Sequence, residues 1–132
     1  MLTMNGSVEK QLKEIDSAIN RGEYKKASSH LHHIASDSQG EKDVLSEITL
    51  LSGKIADTQS KYSVALDLYH LALKEALSAG YDIGHGKSLR RIGAVYSKKG
   101  KYTEAFKCFG DALTIFKKKA HRLEEGCVYN NV

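Results

Sequence analysis

A set of residues that returns after forty positions constrains this chain more than any other feature. Tyr62, Ala65, Tyr69, Ala72 and Leu73 recur as Tyr102, Ala105, Phe109, Ala112 and Leu113, and Gly53 recurs as Gly93, all at an offset of 40. A sparser copy, Tyr24, Ala27, Leu31, Ile34 and Ala35, precedes the second at an offset of 38, and Gly86 to Gly126 repeats the 40 once more. A fixed period of roughly 20 to 50 residues marks an architecture in which one supersecondary unit is stacked several times, because no single unit can bury its apolar face alone.

The spacing inside each copy identifies that unit. Ala, aromatic and Ala fall at intervals of four and three, which places them on one stripe of a helix and on both faces of a strand. The small residues let a neighbouring helix approach, and the aromatic fills the space beside them. Upstream, Leu89, Ile92, Val95 and Tyr96 keep helical spacing, and Lys98-Lys99-Gly100-Lys101 ends that segment with cations and a glycine. Proline is absent from the 132 residues, and alternating β-branched stretches are lacking, so the chain reads as all-α. Helices are expected near 7–20, 23–37, 42–58, 61–79, 86–99, 102–119 and 123–132. They form one domain, with repeats at 8–45, 46–85 and 86–125 and a half repeat at 126–132.

Ile92-Gly93, Tyr96, Gly100, Tyr102, Ala105, Phe109 and Ala112 resemble the tetratricopeptide repeat signature. The second copy keeps Gly53, Tyr62, Ala65, Tyr69 and Ala72 but has Ser52 and Ala56 where larger apolar residues are usual. The first keeps Gly22, Tyr24 and Ala27 and lacks the earlier glycine. The usual terminal proline is missing, and the period exceeds that of the common form, as in the longer repeats of kinesin light chain and of peptide-sensing bacterial regulators. The resemblance implies a right-handed superhelix, a solenoid of antiparallel helical hairpins of about three and a half repeats, with Gly80 to His85 extending an inter-repeat turn. It also implies a non-catalytic scaffold that binds a protein or peptide in a concave groove. The segment from Cys127 to Val132 matches the first half of a fourth repeat, which suggests either a piece of a longer protein or an open end that pairs with another copy in a homo-oligomer.

Composition bounds the chemistry. Hydrophobic residues make up 41% and charged residues 27% of the chain, which fits a globular domain. No apolar run is long enough to span a membrane, and the N-terminal residues lack the features of a secretion signal, so a cytoplasmic location is expected. Cys108 and Cys127 stand alone, without the second pair that a zinc site or a disulfide framework would use. The ending Gly86-Lys87-Ser88 suggests a phosphate-binding loop, but Tyr81 occupies the position of its first glycine and the segment follows a helix rather than a strand. His30 and His33 could meet across one helical turn, yet no further ligand is spaced to complete a metal site. No nucleophile, histidine and carboxylate set, and no carboxylate pair, suggests catalysis. We therefore expect no enzyme activity, no cofactor and no metal.

Partner contacts are expected from the groove. Carried over position by position, the resemblance lines it with Glu9, Leu12 and Asp16, with Leu50, Lys54 and Asp57, and with Lys87, Arg90, Arg91, Ala94 and Lys98. Asn131 matches an asparagine that bonds an extended peptide backbone in the longer-period relatives. The residues 86–132 carry 11 basic against 4 acidic side chains, a local charge of +7 in a chain of net +4. Lys54, Lys87, Arg90, Arg91, Lys98 and Asn131 are the expected contacts, with Arg90 and Arg91 beside Lys87 suited to an acidic or phosphorylated segment. Lys87 with Arg91 matches the cation pair of domains that clamp chaperone tails, whereas Leu12, Asp16 and Leu51 depart from the rest of that clamp. An ordinary solvated helix face is the competing reading. The runner-up function is the peptide-sensing part of a larger signalling or transcription regulator. Nucleic-acid binding through Lys117 to Lys119 on an outer helix lacks the interleaved exposed aromatics of single-strand binders.

Overall fold

The computed structural model describes residues 6–38 and 40–122, and among them every regular element is a helix. The six are α1 (Gly6–Asn20), α2 (Tyr24–Ser38), α3 (Lys42–Thr58), α4 (Tyr62–Ala79), α5 (Asp82–Lys98) and α6 (Tyr102–Arg122). None is long and apolar enough to cross a membrane. The expected helix at 123–132, and with it the half repeat and Asn131, lies outside the described residues.

The links explain why the helices pair. After α1, α3 and α5 the chain turns through a left-handed residue, Gly22 at φ 79°, Ser60 at φ 61° and Gly100 at φ 78°. The following amide then bonds back to a carbonyl in the last helical turn: Glu23 to Ala18 at 2.9 Å, Lys61 to Ala56 at 2.8 Å and Lys101 to Tyr96 at 2.8 Å. This bonding closes a helix and reverses the chain within three residues, so each odd helix folds back on the next even one. The same stop recurs at the sequence offset of the repeat.

Side-chain packing repeats as well. A Cβ added to Gly53 would lie 2.6 Å from the Tyr69 ring, and one added to Gly93 would lie 2.8 Å from the Phe109 ring. Glycine on the first helix therefore receives the aromatic of the second in both α3–α4 and α5–α6. Ala65, Tyr69 and Ala72 are fully buried, and Ala105 and Ala112 nearly so. The small, aromatic, small pattern is thus the seam of these two hairpins, whereas α2 presents Ala27, Leu31 and Ile34 at the same positions.

Successive hairpins share apolar cores. Leu12, Ile15, Ile19, Leu31, Ile34, Val44 and Ile48 join α1, α2 and α3, whereas Leu50, Tyr69, Ala72, Ile92 and Val95 join α3, α4 and α5. Helix α3 contributes to both, which is why its apolar residues surround it instead of forming one stripe. Each helix packs on its neighbours in sequence, and α3 also touches α1 and α5, while α2 and α4 do not meet, nor do α4 and α6.

Helix α5 begins at Asp82, four residues before the expected start, so Gly80 to His85 does not form an extended turn. Gly80 ends α4 in the left-handed conformation, and Tyr81 bonds back to Ala76 at 2.9 Å, so the turn is complete within two residues. Asp82 then stands in the first turn of α5, where a carboxylate complements the helix dipole. The helical glycines meet side chains: Gly84 faces the Tyr81 ring and Ser46, and Gly86 faces the Phe116 ring. Glycine here serves close packing rather than chain reversal.

Candidate partner-binding cleft

One cleft of about 260 Å³ is lined only by odd helices: Leu12, Lys13 and Asp16 of α1, Glu47, Leu50, Leu51 and Lys54 of α3, and Lys87, Arg90 and Arg91 of α5. Spacings of three and four residues put each set on one helix face. Since α3 touches both α1 and α5, the three faces adjoin. Leucines form the floor, and charged side chains surround it. Of the expected groove residues, Leu12, Asp16, Leu50, Lys54, Lys87, Arg90 and Arg91 meet here. Glu9, Asp57, Ala94 and Lys98 do not line the cleft, while Lys13 and Glu47 line it without having been expected.

Most of the expected cations are already engaged. Lys54 Nζ bonds to Asp16 Oδ1 at 2.5 Å, Lys87 Nζ to Glu47 Oε1 at 2.6 Å and Lys98 Nζ to Asp57 Oδ1 at 2.6 Å. Each pair joins one odd helix to the preceding one, across 38, 40 and 41 residues. The ion pairs therefore follow the repeat period and fasten hairpin to hairpin. The carboxylates of Glu47 and Asp57 are 9% and 5% exposed, so removing either lysine would leave a buried charge with fewer partners. Tyr81 also donates to Glu47 at 2.5 Å and Tyr69 to Asp57 at 3.1 Å. Burial first, and then the adjacent carboxylate, pushes both phenols well above the usual range for tyrosine. Lys98 lies 5.9 Å from the centre of the Tyr62 ring, where the aromatic face adds attraction.

Arg90 and Arg91 differ from the lysines. Neither guanidinium forms a hydrogen bond or ion pair among the described residues, and both line the cleft. Burial, and next the charge of Arg91, lowers the pKa of Arg90. Two like charges are held side by side at the cleft without a counter-ion among the described residues.

The other candidates resolve locally. Gly86, Lys87 and Ser88 sit inside α5, and Ser88 is fully buried, so this segment presents no phosphate loop. His30 is half-buried and shares a hydrogen bond of 3.2 Å with Gln11, joining α2 to α1, whereas exposed His33 lies 3.4 Å from Asp37. No cluster of three or more metal-ligating side chains occurs among the described residues. Cys108 is half-buried, and burial pushes its thiol pKa up, away from nucleophilic thiolate. Lys107, Lys117 and Lys118 are exposed on α6, away from the cleft.

The fold and the cleft define an all-α protein of consecutive helical hairpins with a charged cleft on its odd helices. Comparison with protein-family models, with curated proteins and with solved structures gives no match.

Proposed function

We propose that this chain is a non-catalytic, tetratricopeptide-like repeat scaffold that binds an acidic segment of a protein partner in the cytoplasm. The hairpins would wind as a right-handed superhelix, with the odd helices on its concave side. Contacts between odd helices, and none between even ones, support that arrangement. The observation that carries the reading is the state of the cations. Asp16, Glu47 and Asp57 engage Lys54, Lys87 and Lys98, which leaves Arg90 and Arg91 as the guanidiniums available to an incoming anion. The three lysines then act on the partner indirectly, by fixing the walls of the groove.

The test sets a fluorescent peptide library rich in Asp and Glu against the same library with Asn and Gln, at low and moderate salt. Wild type should retain the acidic peptides, more weakly as salt rises, and an Arg90→Glu, Arg91→Glu variant of unchanged helicity should lose them. Equal retention by wild type and variant, or no preference for acidic peptides, would reject the reading. Lys87→Glu is unsuitable as a probe, because it would place two carboxylates together at the Glu47 position.

A further inference from the structure

Resting on that reading, we propose that the anion taken by Arg90 and Arg91 is a phosphate monoester on a side chain of the partner, so that phosphorylation of the partner switches its binding. The argument begins with charge balance inside the cleft. Five cations and two carboxylates line it, and the carboxylates are held by Lys54, Lys87 and Tyr81. Lys13, Arg90 and Arg91 remain without a hydrogen bond or ion pair among the described residues, Lys13 on α1 and the two arginines on α5. A single carboxylate would leave an excess of positive charge here. A phosphate monoester carries about −1.5 to −2 at neutral pH and three acceptor oxygens.

Geometry favours the same group. Consecutive residues on a helix point in directions about 100° apart, so the forks of Arg90 and Arg91 approach a shared cleft from different sides. A planar carboxylate presents both oxygens in one plane and satisfies one fork well. A tetrahedral phosphate offers oxygens to two forks in two planes, and arginine is the residue best suited to such recognition. Size sets a further limit. At about 260 Å³ the cleft lies below the usual range for small-molecule pockets, roughly 300 to 1,000 Å³. It suits one side-chain head group above a leucine floor rather than a nucleotide cofactor. A nucleic-acid strand fits less well, since each phosphodiester carries one charge and the lysines that could follow a backbone, Lys117 and Lys118, lie on α6 outside the cleft.

The experiment uses three degenerate peptide libraries, identical except for a fixed central phosphoserine, glutamate or serine. They are titrated against wild type, Arg90→Gln with Arg91→Gln, and Arg90→Lys with Arg91→Lys, each checked for helicity and mass. Inorganic phosphate and a single-stranded RNA serve as competitors. We expect the phosphoserine library to bind wild type at least about tenfold more tightly than the glutamate library, and to lose that advantage in the glutamine variant. The lysine variant, which keeps charge and loses the fork, should fall between them. Affinity should also drop between about pH 7.5 and 5.5, as the phosphate takes up its second proton near pH 6. Among the described residues no histidine lines the cleft to give the same profile.

Equal binding of the glutamate and phosphoserine libraries, both lost in the glutamine variant, would overturn the phosphate assignment and leave the acidic-partner reading intact. Retention of every library by the glutamine variant would overturn both. Inorganic phosphate binding as tightly as the phosphoserine library would assign the site to free phosphate, and displacement by RNA at lower concentration than by phosphate would assign it to nucleic acid. Either result overturns the proposal.

Discussion

Replacing Gly53 with alanine tests the hairpin seam at its tightest point. The new methyl would lie 2.6 and 2.7 Å from two carbons of the Tyr69 ring, where ordinary contact requires about 3.4 Å or more. A ring at a hairpin surface could swing away at little cost. Tyr69 is fully buried, and its hydroxyl is held by Asp57 at 3.1 Å, so the ring is fixed at both ends. Overpacking of this kind costs about 1–3 kcal/mol, and loss of a hydrogen bond to a carboxylate adds about 1.5 kcal/mol. Alanine returns about 1 kcal/mol of helix propensity. The balance is a destabilisation of about 1.5–3.5 kcal/mol, equivalent to a fall in melting temperature of about 5–17 °C for a chain of this size. Gly93→Ala should cost less, because the half-buried Phe109 has no hydroxyl tether and can yield. Gly110→Ala, with no atom within 4 Å of the added carbon, should stabilise by about 0.5–1 kcal/mol. Urea titration of the three variants gives the ranking. In a Tyr69→Phe background the Gly53→Ala penalty should shrink by about 1.5 kcal/mol, the part assigned to the hydroxyl tether. A Gly53→Ala protein as stable as wild type would refute the account of the seam.

Ser60 occupies the left-handed stop that glycine fills after α1 and α5, so Ser60→Gly should raise stability by about 0.5–1 kcal/mol, measured by thermal melting. Lys87→Met should destabilise by about 2 kcal/mol, allowing for the partial exposure of the lysine. The triple change Lys87→Met, Glu47→Leu and Tyr81→Phe should recover most of that loss, because it also removes the Tyr81 hydroxyl that would otherwise lose its acceptor, and a complete buried polar set can be replaced by apolar packing more cheaply than it can be broken. The raised phenol pKa values of Tyr69 and Tyr81 fix a sign at high pH. Their neutral forms stabilise the fold fully below the unfolded value of about 10, and that contribution is lost above it at about 1.4 kcal/mol per pH unit for each tyrosine. Urea midpoints should therefore fall less steeply between about pH 9 and 11 in Tyr69→Phe and in Tyr81→Phe than in wild type.

The hairpins were legible in the sequence because their packing is local and periodic. Gly53 with Tyr69 and Gly93 with Phe109 can be read as matched pairs before any coordinates are known, and the structure supplies the contact that links them. The start of α5 was not legible. Glycine has a low helix propensity, so three glycines between positions 80 and 86 read as a turn. That reading fails because Gly84 and Gly86 answer to tertiary neighbours, the Tyr81 ring with Ser46 and the Phe116 ring, rather than to the local chain. Propensity judges a residue by its own backbone, whereas close helix contact judges it by the side chain opposite.

The cleft divides along the same line. Which residues face it follows from helical spacing, and seven of the expected ones meet there. Which of their charges remain available depends on partners in the preceding repeat, and a position-by-position reading passed over Glu47 and Asp57 as countercharges. A signal was present: an acid 38 to 41 residues before each of Lys54, Lys87 and Lys98, at the spacing of the repeat itself. In a periodic chain, opposite charges separated by one period are candidates for neighbours on adjacent helices. Lysine, with a flexible stem and a compact charge, readily closes such a pair. By the same test Arg90 and Arg91 have Leu50 and Leu51 one period earlier, so each is preceded by an apolar residue instead of an acid. The absence of an acid at that offset separates the arginines from the structural lysines, and it gives a sequence-level criterion for the cations of the cleft that the preceding repeat does not engage.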